Sequence, residues 1–177
     1  MADEPGATLF FRHLLTFSLP HALLSLAAIF VLIRFGALRG LSLRRNAVPA
    51  VLEGAAGAFV LVLVVIGIWI AMGKGLGLKI DGWGILGNLF SNAYEEVVFR
   101  GLLLGSLAYA FRRASPAVLL SALAFAGTHW SYPLPLVGAT AVAGLIFGLV
   151  YVRTGNLLAP WIAHQLADLV LDSILVG

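Results

Sequence analysis

Long stretches without a charged residue constrain this chain more than any other feature of its sequence. No Lys, Arg, Asp or Glu occurs in residues 13–33, 54–73 or 114–152, which are runs of 21, 20 and 39 residues. A helix needs about 20 apolar residues to cross the hydrocarbon core of a bilayer, so the first two runs suit one span each and the third suits two. Backbone groups that face lipid must be paired within the segment, which favours helices. We therefore predict an all-α, polytopic membrane helix bundle.

The composition excludes several other classes of protein. Hydrophobic residues make up 61% of the chain and charged residues only 11%, whereas soluble domains have roughly 45–50% and about 25%. This excludes an ordinary soluble enzyme, a disordered protein and a nucleic-acid binder, and it makes the lipid bilayer the expected environment. The chain has no Cys, which excludes disulfides, a thiolate metal site and a cysteine nucleophile.

We predict six helices in one membrane domain, residues 1–177. They cover residues 9–34, 47–72, 84–111, 115–131, 136–153 and 157–175. The acidic start, with Asp3 and Glu4, favours a retained first span over a cleaved signal peptide. Two small-xxx-small patterns, at residues 101–105 and 144–148, favour close helix packing.

The basic residues predict the orientation of these six helices. With both termini outside, the inner loops hold seven basic residues: Arg34, Arg39, Arg44, Arg45, Arg112, Arg113 and Arg153. The outer segments hold three: Arg12, Lys74 and Lys79. The positive-inside rule therefore favours both termini outside. We expect a multi-pass protein of the bacterial inner membrane.

Three ionisable residues interrupt the apolar helix at 84–111: Glu95, Glu96 and Arg100. Each charged residue at the bilayer centre costs at least about 2.5–3.5 kcal/mol, so they need partners or a function. Glu96 and Arg100 are spaced i,i+4 in the favourable order for an ion pair. Glu95 then has no local partner, which suits a general base. The alternative is that all three form a polar seam that holds the bundle together.

Two histidines lie on other predicted helices. His129 ends the fourth helix, and His164 lies in the sixth with Asp168 one turn later. Ionisable side chains avoid lipid, so we expect them to share an interior with Glu95. Such a set supplies a base, a proton carrier and hydrogen-bond donors, as hydrolysis of an amide bond in a water-filled cavity requires. We treat His13 and His21, in the first span, as incidental.

Three motifs follow in order, each in an apolar helix: EExxxR at residues 95–100, FxxxH at 125–129 and HxxxD at 164–168. This ordered set resembles the CPBP family of intramembrane proteases, which includes the type II CAAX prenyl endopeptidases and bacteriocin-processing relatives. The resemblance covers about residues 84–172, which would be the catalytic core.

The resemblance implies a membrane-embedded, glutamate-dependent endopeptidase that needs no metal or other cofactor. Glu95 matches the glutamate that activates the attacking water, and His129 assists it. His164 and Asp168 match the pair that stabilises the oxyanion. The remaining motif residues would support the structure: Glu96, Arg100 and Phe125.

Asp168 departs from the best-understood prenyl endopeptidases, which have Asn at this position. An ionised carboxylate accepts hydrogen bonds but cannot donate one to an oxyanion. Either Asp168 is protonated when it works, or it orients His164 as a carboxylate orients a catalytic imidazole. The sequence leaves both roles open.

Other functions also remain open. Glu95, His129 and His164 could bind zinc, although no HExxH motif is present. Intramembrane Glu and His also occur in proton-coupled transporters, although 177 residues leave little room for two repeats. A non-catalytic immunity factor or chaperone is the third alternative. For a protease, the short chain leads us to expect a membrane-anchored protein or peptide tail as substrate, in a protein-sorting role, and not a prenylated protein.

Overall fold

The computed structural model describes residues 6–20, 22–23, 26–27, 30 and 47–175, and within these residues the chain forms helices and turns without a strand. Helix α1 is Gly6–His13, followed by a π-helical turn, Leu14–Ser18. The other helices are α2 Ala47–Ala71, α3 Gly82–Glu96, α4 Gly105–Phe111, α5 Ala114–Gly127, α6 Leu134–Thr154 and α7 Leu158–Ile174. A π-helical segment, Val97–Leu104, joins α3 to α4. The predicted all-α class is confirmed.

The predicted helices agree with the structure apart from two details. The predicted helix at 84–111 contains the π-helical segment, and the predicted helix at 115–131 ends at Gly127. After Gly127 the backbone changes to i−3 hydrogen bonds, from the Thr128 N–H to the Phe125 carbonyl (3.2 Å) and from the His129 N–H to the Ala126 carbonyl (3.0 Å). Much of the predicted first span and the loop after it lie outside the described residues.

Two helices, α2 and α6, are long and apolar enough to cross a membrane by length and composition. Helix α5 is apolar but has only 14 residues. The number of spans therefore stays a prediction.

Glycines allow the helices to approach closely at two interfaces. A Cβ added at Gly144 would lie 2.8 Å from Ala122 Cα, so α6 packs backbone to backbone on α5. A Cβ added at Gly54 would lie 2.5 Å from the carbonyl oxygen of Ala159, so α2 packs equally closely on α7. The pattern at 144–148 therefore marks a real interface, whereas a Cβ at Gly101 would meet only ordinary contacts.

Short connections make consecutive helices alternate in direction. One end of the bundle, which we call the mouth end, therefore holds the loops at 72–81 and 128–133 and the C-terminus of α7. The opposite end holds Arg112, Arg113 and Arg153, and Arg153 Nη2 donates to Glu53 Oε1 (2.8 Å).

Candidate active site

A change in helical winding follows directly after Glu95 and Glu96. Helix α3 ends at Glu96, and the next eight residues are π-helical. The carbonyl of Phe99 in this segment accepts a hydrogen bond from the Ser121 hydroxyl of α5 (2.7 Å). Short π-helical segments frequently mark functional sites. The π-helical segment begins at Val97, directly after the acidic pair.

Glu96 and Arg100 form the ion pair that the sequence predicts. Arg100 Nη1 lies 3.1 Å from Glu96 Oε1, and both side chains are almost fully buried. The guanidinium also donates to the Gly144 carbonyl (3.3 Å). It lies over the rings of Phe125 (4.7 Å) and Phe147 (5.1 Å), which favours the cation electrostatically.

Glu96 also holds His164, a contact that the sequence analysis did not predict. The same Oε1 atom that accepts from Arg100 lies 2.9 Å from His164 Nδ1. A carboxylate only accepts, so Nδ1 carries a proton and donates it. The other ring nitrogen, Nε2, lies 3.8 Å from Glu95 Oε2 and 3.6 Å from Asp168 Oδ2. Glu96 thus sets which nitrogen of His164 faces Glu95 and Asp168.

Two aromatic rings fix the plane of the His164 imidazole. Phe147 stacks on it with centroids 4.7 Å apart, and Phe125 meets it edge-on at 5.7 Å. Phe125 is itself almost fully buried and also contacts the ring of His129 at 4.9 Å. Phe125 therefore contacts both histidines.

His129 lies in the turn after α5 and not in the helix. Its Nδ1 atom is 3.0 Å from the Phe125 carbonyl and 3.1 Å from the Thr128 hydroxyl. A carbonyl only accepts, so Nδ1 donates to it, and in the neutral ring Nε2 is left to accept a proton.

Asp168 is held by an amide of α3. Asn92 Nδ2 donates to Asp168 Oδ2 (2.9 Å) and lies 3.3 Å from Gln165 Oε1. One turn nearer the mouth end, Asn88 Nδ2 donates to Asp172 Oδ2 (2.7 Å). Neither asparagine is among the site residues predicted from the sequence. Asn88, Asn92 and Glu96 are spaced i,i+4 and form a polar stripe on an apolar helix. That spacing is the sequence signal for the two asparagines.

One cavity of about 520 Å³ brings these groups together. The four predicted catalytic residues all line it: Glu95, His129, His164 and Asp168. Its apolar wall comes mainly from α2 and α6: Leu61, Val65, Trp69, Leu136, Ala139 and Ala143. Cavities of this size accommodate a ligand with a few oriented polar groups, as a short stretch of peptide has.

Tyr132 stands at the cavity in the loop at 128–133. Its ring lies 5.3 Å from that of His129. Burial, and then the negative charges of Asp168, Asp172 and Glu95, raise the pKa of its hydroxyl. Tyr132 is therefore a neutral hydrogen-bond donor at neutral pH.

Two further hypotheses from the sequence concern a zinc site and the histidines of the first span. Within residues 6–20 and 47–175, no group of three or more His, Asp or Glu side chains is arranged to hold a metal ion. The zinc hypothesis therefore has no geometric support here and stays an alternative. The side chain of His13 and the whole of His21 lie outside the described residues.

Comparison with known proteins identifies the family. Residues 81–170, just over half of the chain, match the family described as type II CAAX prenyl endopeptidase Rce1-like. No curated protein and no solved structure matches the chain. The matched range contains all three motifs and the four predicted catalytic residues, so the chain belongs to the Rce1-like family of membrane-embedded CAAX endopeptidases.

Proposed function

We propose that this chain is an intramembrane endopeptidase that hydrolyses a peptide bond with Glu95, His129, His164 and Asp168. The convergence of these four side chains on one cavity, from three separate segments, carries the proposal. A peptide bond needs an activated water, a proton carrier and a stabilised oxyanion, and this set can supply all three.

In the proposed mechanism, Glu95 takes a proton from the attacking water while His129 Nε2 holds that water in place. The hydroxide attacks the peptide carbonyl carbon, and the carbonyl oxygen becomes the oxyanion. When the C–N bond breaks, Glu95 returns its proton to the leaving amine. The products are a carboxylic acid and an amine, and the enzyme is regenerated.

His164 and Asp168 stabilise the oxyanion in this scheme. Glu96 accepts from Nδ1, so the doubly protonated ring can donate from Nε2 to the developing charge. Because Glu96 already orients the imidazole, Asp168 is left for the donor role, in its protonated form. Asn92 can hold one oxygen of Asp168 while the other carries the proton.

The proposed substrate is the membrane-anchored tail of a protein or peptide. The apolar wall formed by α2 and α6 suits the apolar part of such a tail, and the same cavity holds the four hydrolytic side chains. The proposed setting is a multi-pass protein of the bacterial inner membrane with a role in protein sorting.

Reconstitution tests the proposal. The purified chain is placed in lipid vesicles with a pool of palmitoylated decapeptides, and new peptide termini are identified by mass spectrometry. We expect cleavage by the wild type and a loss of about 10²–10⁴-fold for Glu95→Gln, as for other general bases.

Glu53→Gln is the matched control. Its carboxylate lies at the opposite end of the bundle, in an exposed pair with Arg153. Cleavage by folded Glu95→Gln at the wild-type rate would show the mechanism to be wrong. Loss of activity with a chelator, restored by zinc, would favour the zinc alternative.

A further inference from the structure

The loop between α2 and α3 carries a strand-like segment that runs along the mouth end. The N–H of Gly77 donates to the Ile174 carbonyl (3.0 Å), and the N–H of Lys79 donates to the Ser173 carbonyl (2.8 Å). These bonds pair two of the carbonyl groups that the C-terminus of α7 leaves open. Bonds from alternate residues to one side are typical of an extended backbone. We call residues 76–80 the edge segment.

The opposite side of the edge segment is free. In an extended chain, the N–H and C=O groups of residues 76, 78 and 80 point away from those of residues 77 and 79. No N–H of these three residues makes a hydrogen bond within the part of the chain that the structure describes. Their side chains are also open: Leu76 is 52% exposed, Leu78 78% and Ile80 72%. The segment therefore presents an unpaired strand edge.

This edge lies beside the catalytic cavity. Just before the edge segment, the Gly75 carbonyl accepts from Trp69 Nε1 (2.8 Å), and Trp69 lines the cavity. At its other side, the segment pairs with Ser173 and Ile174, which lie between the cavity residues Asp172 and Leu175.

We propose that the edge segment binds the substrate peptide as an added β-strand and guides it into the cavity. The inference rests on the proposed endopeptidase function. An extended peptide supplies the N–H and C=O groups that an open edge lacks, and main-chain pairing of this kind gives affinity with little demand on sequence. A protease acting on varied membrane-anchored tails needs that kind of recognition.

The geometry sets a register. Ser173 lies nine positions after His164 in α7, or about 13 Å along the helix. An extended peptide covers that distance with about four residues. The substrate residue paired with the edge segment should therefore lie about four positions from the cleaved bond.

The first test compares the loss of the main-chain N–H at position 78 with the loss of the side chain there. Leu78→Pro removes the outward N–H and keeps an extended backbone, whereas Leu78→Ala shortens the side chain and keeps the N–H. With the palmitoylated decapeptide pool, we expect Leu78→Pro to lower kcat/KM about fivefold to tenfold below Leu78→Ala, mainly through KM, since one hydrogen bond is lost. Equal losses in the two variants would mean that the effect comes from the leucine side chain, for example from its contact with the bilayer. That result would overturn the proposal.

The second test does not depend on cleavage. Amide hydrogen exchange is measured on Glu95→Gln protein in vesicles, with and without the same decapeptide pool. We expect the N–H groups of Leu76, Leu78 and Ile80 to become protected when peptide is present. Those of Gly77 and Lys79 should be protected in both states, because they are already bonded.

The two tests also separate failure of this inference from failure of the proposed function. If the wild type cuts nothing in the pool but the three N–H groups gain protection, the edge binds peptide and the endopeptidase proposal fails. If the wild type cuts peptides and no protection appears, the edge proposal is wrong and the proposed function stands.

Discussion

At the scale of single residues, Glu96 has two partners on one oxygen atom. It neutralises Arg100 and holds His164 Nδ1, so it acts on both the fold and the imidazole. Glu96→Gln leaves Arg100 buried without its ion-pair partner, and breaking a buried pair costs about 3–5 kcal/mol. We expect a low folded yield in detergent, measured by size-exclusion chromatography.

Two double variants separate the two roles of Glu96. Replacing a buried ion pair with apolar residues is often neutral for stability. We expect Glu96→Met with Arg100→Met to recover the folded yield but not the cleavage rate, because His164 Nδ1 has no acceptor. Glu96→Gln with Arg100→Met keeps an amide oxygen for Nδ1 and should recover part of the rate. Equal rates in the two double variants would contradict a positioning role for Glu96.

Asp168 offers the second prediction at this scale. If Asp168 donates to the oxyanion, it must be protonated, and its activity falls as the pH rises and the proton is lost. Asn donates at every pH and its oxygen can still accept from Asn92. Asp168→Asn should therefore keep most of the activity and flatten the loss of rate at high pH.

A pH–rate profile of wild type and Asp168→Asn in vesicles measures this. Asp172→Asn is the matched comparison, since Asn88 holds Asp172 as Asn92 holds Asp168, but one turn further from His164. In the pH–rate profile of Asp172→Asn, the loss of rate at high pH should be as steep as in the wild type. A large loss of rate in Asp168→Asn at every pH would rule out the donor role.

At the scale of helices, the closest approach of α5 and α6 also supports the site. Gly144 carries the carbonyl that accepts from Arg100, and it leaves no room for a Cβ against Ala122. Gly144→Ala should destabilise the fold by about 1–3 kcal/mol, as overpacking does. The thermal midpoint in detergent measures it.

Gly138→Ala is the matched control on the same helix. A Cβ at Gly138 has nothing within 4 Å, and Ala favours a helix over Gly by about 0.5–1 kcal/mol. We expect the thermal midpoint of Gly138→Ala to equal that of the wild type or to be higher. A fall of similar size in both variants would mean that the α5–α6 contact is not the cause.

At the scale of the whole molecule, the count of basic residues at the two ends predicts the orientation. Arg112, Arg113 and Arg153 lie opposite the mouth end, and the loop at the mouth end holds Lys74 and Lys79. The four arginines predicted for the inner loop at 34–45 lie outside the described residues.

The seven-to-three count of basic residues in the sequence predicts that the mouth end faces outward, with the C-terminus of α7. A C-terminal alkaline phosphatase fusion, which is active only outside, should be active, and a C-terminal cytoplasmic reporter should not. The reverse result would place the mouth in the cytoplasm, as a CAAX-like role requires, and would exclude the sorting role outside the membrane.

The sequence by itself determined the helical class, most helix bounds and the Glu96–Arg100 pair. These follow from local physics: apolar length, the cost of unpaired backbone in lipid, and the i,i+4 spacing of opposite charges. The helix ends at Gly127, before the predicted residue 131, because the backbone there changes to i−3 hydrogen bonds, which hydrophobicity does not report.

Only the tertiary structure decided which groups meet. Glu96 and His164 are 68 residues apart, and Asn92 and Asp168 are 76 apart. No periodicity along one helix specifies which face of another helix it meets, since that depends on close packing at glycines such as Gly54 and Gly144. The orientation of His164, and with it the chemistry of the cavity, is therefore a property of the packed bundle.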